Sequence, residues 1–141
     1  MVTRYLLDTN VFSERSKPKP NPAVLRWLRS LQQNQVYLSV LTIGEIRYGI
    51  DKHKDPKRRS ELQSWLEEDL AIELLNQIVD VDWSVAEKWG SICAHSENTL
   101  AAIDSLLGAT ALVHNFVLAT RNTKHFRTIT GLEVINPWDY P

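Results

Sequence analysis

The sequence predicts an α/β protein with a central parallel sheet and helices packed on both of its faces. Two observations lead there. Short, almost wholly apolar runs (Tyr5-Leu6-Leu7, Val36 to Val40, Phe116 to Thr120) alternate with stretches whose apolar residues recur at helical spacing. Strands that do not alternate apolar with polar residues are buried on both faces, which is the habit of parallel sheets covered by helices. At 141 residues the chain has the length of one domain, taken as 1–141, and is long enough to bury a core.

The elements follow in order. Residues 4–7 read as a strand ending at Asp8. Lys17-Pro18-Lys19-Pro20-Asn21-Pro22 is an extended break, because alternate prolines forbid a helix interior. Asn21 then caps a helix with Pro22 in its first turn and Val24, Leu25, Trp27, Leu28 and Leu31 on its apolar side. Val36 to Val40 is the second strand, and Thr42 to Ile50 a helix carrying Ile43, Ile46 and Ile50. Arg58 to Leu75 reads as one long amphipathic helix with Leu62, Trp65, Leu66, Leu70 and Leu74 facing in. Gln77 to Val81 is a strand. Ser84 to His95 is a helix with Val85, Trp89 and Ile92 inward, and a polar loop covers 96–99. A helix from Ile103 to His114, a strand from Phe116 to Thr120 and a short strand at Val134-Ile135 complete the chain.

Composition narrows the function. Charged residues make up 23% and the net charge is −1, so the whole chain is no general polyanion binder. Lys52, Lys54, Lys57, Arg58 and Arg59 nevertheless outnumber Asp51 and Asp55 in one run. That run reads as a solvated loop and helix start, with phosphate contact as the alternative. The single cysteine, Cys93, excludes an intramolecular disulfide and a cysteine-based zinc site. Its apolar neighbours at helical spacing mark it as a small buried hydrophobe. Five Trp are many for this length, and a subunit or partner surface accounts for some of them. The N-terminal apolar run is too short for a signal peptide or a membrane span, so a reducing, cytoplasmic setting is expected.

In a doubly wound sheet, function collects beyond the carboxyl ends of the strands. Asp8 directly follows the first strand there. Glu45 stands one turn into the helix after the second, Asp104 at the start of the helix before the Phe116 strand, and Asn122 two residues past Thr120. Singly each has a plain reading: Asp8 and Asp104 as helix caps, Glu45 as a solvated residue, Asn122 in a turn. Jointly they describe a carboxylate cluster, which repels itself unless protons or a cation neutralise it. Oxygen donors without neighbouring His or Cys favour Mg²⁺ or Mn²⁺ over zinc.

Four blocks carry a family resemblance. Leu6-Leu7-Asp8-Thr9-Asn10, Thr42 to Gly49, Ile103 to Ala111 and Leu118 to Phe126 resemble, in order, the signature segments of PIN-domain ribonucleases. The VapC/FitB-type toxins of bacterial toxin–antitoxin pairs are the group most resembled, down to the terminal Asn136-Pro137-Trp138. The resemblance implies a PIN-like fold and cleavage of single-stranded RNA by metal-activated water, with Asp8, Glu45 and Asp104 holding the ion. It offers Thr9, Asn10, Ser105 and Thr120 for fixing loop geometry or orienting the scissile phosphate. It also implies a small VapB-like antitoxin, with a basic side chain entering the cleft, and a homodimer whose groove is bordered by Arg47 and Lys124. The chain departs from the fullest pattern at Asn122 and His125, where many relatives carry Asp. Asparagine keeps an oxygen but removes one negative charge. For His125 a surface helix position is the plain reading, and contact with RNA or a metal-bound water the functional one.

Other folds of this class fit poorly. A receiver domain needs an Asp at the end of the middle strand, where Val40 stands. An aspartate-nucleophile phosphatase needs a second Asp two residues after the first, where Asn10 stands. A PIN fold kept only for binding RNA or a partner is the alternative that Asn122 supports.

Overall fold

The computed structural model describes residues 2–97 and 99–141; Asn98, within the expected loop 96–99, lies outside them. Five strands form one parallel sheet: β1 (Tyr5–Leu7), β2 (Val36–Ser39), β3 (Ile78–Val79), β4 (Val117–Ala119) and β5 (Val134–Ile135), in the spatial order β3-β2-β1-β4-β5. The chain steps outward from β1 to β3, then returns to place β4 on the other side of β1. The switch between β1 and β4 leaves a crevice at their carboxyl ends.

Burial follows the two-faced pattern. Leu6 and Leu7 point to opposite faces of β1 and both are fully buried. Leu7, Leu38 and Ala119 join Val11, Phe12, Val24, Trp27, Ile46, Leu66, Leu70 and Leu74 in the core of one face. Leu6 and Leu118 join Leu107, Ala111, Phe116, Phe126 and Ile129 on the other. With both sides packed, no edge of β1 or β4 is left to bend, and their register (Tyr5 beside Val117, Leu7 beside Ala119) holds the ends level.

The helices are α1 (Thr9–Phe12), α2 (Pro22–Arg29), α3 (Val40–Asp51), α4 (Pro56–Ser64), α5 (Ala71–Glu73), α6 (Trp83–Ala94) and α7 (Ala102–His114). Asn21 caps α2 through the Ala23 and Val24 amides, with Pro22 in the first turn, as expected. The long helix expected over 58–75 begins earlier, at Pro56, because Asp55 caps it through the Lys57 amide. Between α4 and α5 it widens to π-type winding at Trp65–Leu70, which carries Leu66, Leu70 and Leu74 into the core. Cys93 is exposed, not buried. At 100° per residue it lies about 80° round α6 from Val85, past the inward line of Val85, Trp89 and Ile92. Trp83 opens α6 with 81% of its surface exposed. Among the described residues no helix is long and apolar enough to cross a membrane.

Candidate active site

Asp8 sits at the crevice and is only 7% exposed. Its backbone is fixed by the sheet, since its amide donates to the Ala119 carbonyl of β4 at 2.9 Å. Its side chain caps α1: Oδ1 accepts the Thr9 amide at 2.7 Å. Oδ2 accepts the Thr120 hydroxyl at 2.8 Å and the Asn10 side-chain amide at 3.3 Å. Thr120, fully buried after β4, also receives the Asn122 amide at 3.0 Å, and the Asn10 carbonyl oxygen receives the Arg121 amide at 3.2 Å. The loops after β1 and β4 are thus tied together across the crevice through Asp8, Asn10 and Thr120.

The other carboxylates come from α3 and α7. Thr9 donates its hydroxyl to Glu45 Oε1 at 2.6 Å, joining α1 to α3. Asp104, in the first turn of α7 with a quarter of its side chain exposed, lies 3.0 Å from His125 Nδ1 through Oδ2. Asp104 does not cap α7, whose cap position is Ala101. Asn122 is exposed and precedes the 3-10 turn Thr123–Phe126 that carries His125.

Ser105 has a different task. It is buried, donates to the Ala101 and Ala102 carbonyls, and accepts the Trp89 indole N–H at 2.9 Å. It fixes the start of α7 against α6 and has no surface left for a phosphate. Arg47 is engaged by Asp51 at 3.2 Å and Glu67 at 3.1 Å.

Two buried carboxylates show opposite electrostatics. Burial pushes the Asp8 pKa above its ordinary 3.8; hydrogen bonds from Thr120 and Thr9 pull it back, and the Asp104 and Glu45 charges raise it further. Burial also raises Glu14, but the Asn21 amide, the Lys17 ammonium at 3.0 Å and the Arg121 charge outweigh it and hold Glu14 below the usual range. Sequence reasoning gave no sign of Glu14, because its partners are a backbone amide and two cations spread along the chain. It braces the turn into α2. Asp8, among the described residues, has no basic partner.

The donor set suits a hard divalent ion: three carboxylates, a threonine hydroxyl and an asparagine amide, all oxygen-bearing, around a carboxylate that burial first and then its acidic neighbours have pushed up. In the side-chain positions described, no three His, Cys, Asp or Glu groups already enclose an ion. Glu45 is turned onto Thr9 and Asp104 onto His125.

Known proteins resemble the chain in sequence and in fold. Residues 5–132 match the PIN domain family. The chain is 34% identical to the VapC ribonuclease Y4jK of Sinorhizobium fredii, over 95% of this chain and 97% of that protein. It is 36% identical to the toxin FitB of Neisseria gonorrhoeae, over 94% and 97%. The crystal structure of FitAcB from Neisseria gonorrhoeae superposes with a TM-score of 0.90 at 36% identity, covering 96% of this chain and 99% of that one. With the family match running from residue 5 to 132 and relatives 34–36% identical over nearly the whole chain, the chain belongs to the PIN-domain family.

Proposed function

We propose that this protein is an endoribonuclease of the toxin type, cutting single-stranded RNA with the help of Mg²⁺ or Mn²⁺. The observation that carries the reading is Asp8: a buried carboxylate with no cationic partner among the described residues, pushed up by its burial and by two further carboxylates. A carboxylate kept for structure is neutralised within the chain, as Glu14 is. One left uncompensated at a crevice is suited to a ligand that brings positive charge. Asp8, Glu45 and Asp104 would hold the ion, with Asn122 completing the rim. Bound there, the ion supplies an acidified water and balances the charge that builds on a phosphoryl group.

The residues around it perform the positioning. Thr9 and Thr120 hold the two oxygens of Asp8 from opposite sides, so its direction is set before substrate arrives. The Thr9 hydroxyl keeps Glu45 at the same edge, and His125 restrains Asp104. Purified protein should cut single-stranded RNA with Mg²⁺ or Mn²⁺, stop in EDTA and recover when the ion is restored. Cleavage indifferent to chelation would refute the metal-assisted reading.

The toxin reading extends to assembly. A small antitoxin places a basic side chain against Asp8 and Asp104, supplying the missing charge in the ion's stead. A homodimer covers exposed apolar side chains such as Trp83, Ile72 and Leu75, which are 81%, 79% and 75% exposed in the single chain. Sedimentation at twice the chain mass, and growth rescued by the co-expressed antitoxin, are the expected results; a strict monomer at micromolar concentration would refute the dimer.

A further inference from the structure

Arg58 of the basic run at 52–59 and the aromatic Trp65 are not used by the carboxylate site, yet the fold brings both to cavities next to it. Two adjoining cavities lead away from it. The first, about 230 Å³, is walled by Thr9, Glu45, Ser13 and Trp65, so it opens beside Glu45 of the proposed carboxylate set. The second, about 310 Å³, is walled by Arg15 and Arg58, with Glu61 beside Arg58. Ser16, Leu62 and Trp65 line both, making one groove with a carboxylate end, an aromatic wall and a cationic end.

Its parts are held in place. Trp65 is half-buried and stacked on Phe12, with ring centroids 6.0 Å apart and planes 24° from parallel. Arg58 reaches from α4 to donate to the Ser16 carbonyl at 2.9 Å, closing the groove from the side opposite Glu45. Beyond the Ser16 contact of Arg58 and the approach of Arg15 to the Phe12 ring at 4.9 Å, the guanidinium groups make surface pairs, Arg58 to Glu61 at 3.5 Å and Arg15 to Glu73 at 3.1 Å. Exposed pairs of this kind are worth little and exchange readily for a phosphate.

We propose that this groove seats a nucleotide of the RNA strand next to the bond being cut, its base against Trp65 and a neighbouring phosphate at Arg58 and Arg15. The proposal rests on the ribonuclease reading and specifies where the strand leaves the carboxylates. A single strand suits it because a base must be unstacked to meet an aromatic wall, and stacking with a flanking cation is how single strands are held without sequence readout. A protein segment would find the apolar wall but would have less use for two arginines beside an acidic centre.

The test measures binding of a short fluorescein-labelled single-stranded RNA by anisotropy, on the full chain carrying Asp104→Asn so that no cleavage intervenes. Trp65→Leu should weaken binding on the order of tenfold, with Trp65→Phe recovering most of it. Arg58→Gln should reduce the slope of log affinity against log salt by about 0.7. Irradiation of 5-iodouridine RNA on the chain with Trp65 intact should crosslink within 13–16 or 58–65. That readout and the arginine variants decide the matter if Trp65→Leu fails to fold. Affinities within twofold in folded variants, or crosslinks elsewhere, overturn the groove while RNA cleavage by the unaltered chain leaves the ribonuclease reading standing. Trp65→Leu that spares RNA but releases the co-expressed antitoxin makes the groove a protein dock and also overturns the proposal. An unaltered chain that neither binds nor cuts RNA removes both.

Discussion

Asp8→Asn separates the cost of the site from the stability of the fold. The substitution keeps the shape and removes the charge. The oxygen that accepts the Thr9 amide at 2.7 Å survives, so α1 keeps its cap. The other oxygen becomes an NH₂ facing the Thr120 hydroxyl at 2.8 Å and the Asn10 amide at 3.3 Å. The hydroxyl can rotate to accept, whereas the Asn10 amide meets a second donor, so one hydrogen bond, about 1 kcal/mol, is lost. Against this stands relief of a buried charge repelled by Asp104 and Glu45.

The two terms have different pH dependence. Folded Asp8 keeps its proton to higher pH than the unfolded chain does, so the native state binds more protons and its stability falls as pH rises. The fall starts near the ordinary value of 3.8 and ends above the raised one. Each pKa unit of that gap is worth about 1.4 kcal/mol, or roughly 5 °C of melting temperature in a domain of this size. The variant lacks the titration. Without metal it should melt roughly 4 °C below the unaltered protein near pH 3.5, from the lost bond alone. It should gain steadily on it toward pH 7. Taking the difference between the two proteins cancels the titrating groups that do not interact with Asp8, leaving Asp8 itself and its coupling to Asp104 and Glu45. Paired thermal melts in EDTA across this range are the assay. A difference that stays flat, or that moves against the variant as pH rises, would show that Asp8 is fully compensated and that the argument from its charge is wrong.

Two other substitutions probe the rim. Asn122→Asp should tighten Mn²⁺ binding several-fold by adding a charge beside the ion; equal or weaker affinity by calorimetry removes Asn122 from the site. His125→Ala should lower turnover and Mn²⁺ affinity together by freeing Asp104, and His125→Asn, which keeps a donor near the place of Nδ1, should restore much of both. Equal loss in the two variants would show that the 3.0 Å contact with Asp104 does not position the carboxylate.

The fold is legible where short apolar runs meet caps. Leu6 and Leu7 are both apolar, so β1 needs cover on both sides, and that alone calls for a parallel sheet between helix layers. Asn21-Pro22 announces α2 for reasons of backbone chemistry that tertiary contacts do not change. The features that escape depend on distant partners or on helix winding. α1 has only four residues, too few for a period, and its cap is a residue that also reads as catalytic. The π-type turn at Trp65–Leu70 alters the register of side chains that still look continuous in an α-helical count. Cys93 sits among apolar neighbours in sequence but turns past the buried line of α6. Among the site residues, Asp8 and Thr120 could be foreseen at strand ends. The turn of Asp104 onto His125, across 21 positions, has no local signature. Of the two tasks offered for Ser105, its contacts match the fixing of local geometry, since its hydroxyl is spent on Trp89 and the Ala101 and Ala102 carbonyls.

Arg121 shows how the crevice stays acidic. It directly follows Thr120, just past the end of β4. Its amide donates to Asn10, its guanidinium carbon stands 5.0 Å from the centre of the Trp138 ring, and its charge helps hold Glu14 ionised. Stacking on an indole and serving a buried carboxylate both favour that direction over the solvated alternative. Glu14 and Trp138 therefore act on the site from outside it, by occupying the cation that follows the β4 strand end. With Arg121 engaged by Trp138 and Glu14, Asp8 keeps its acidic neighbours and no basic partner among the described residues, which suits a ligand that brings positive charge.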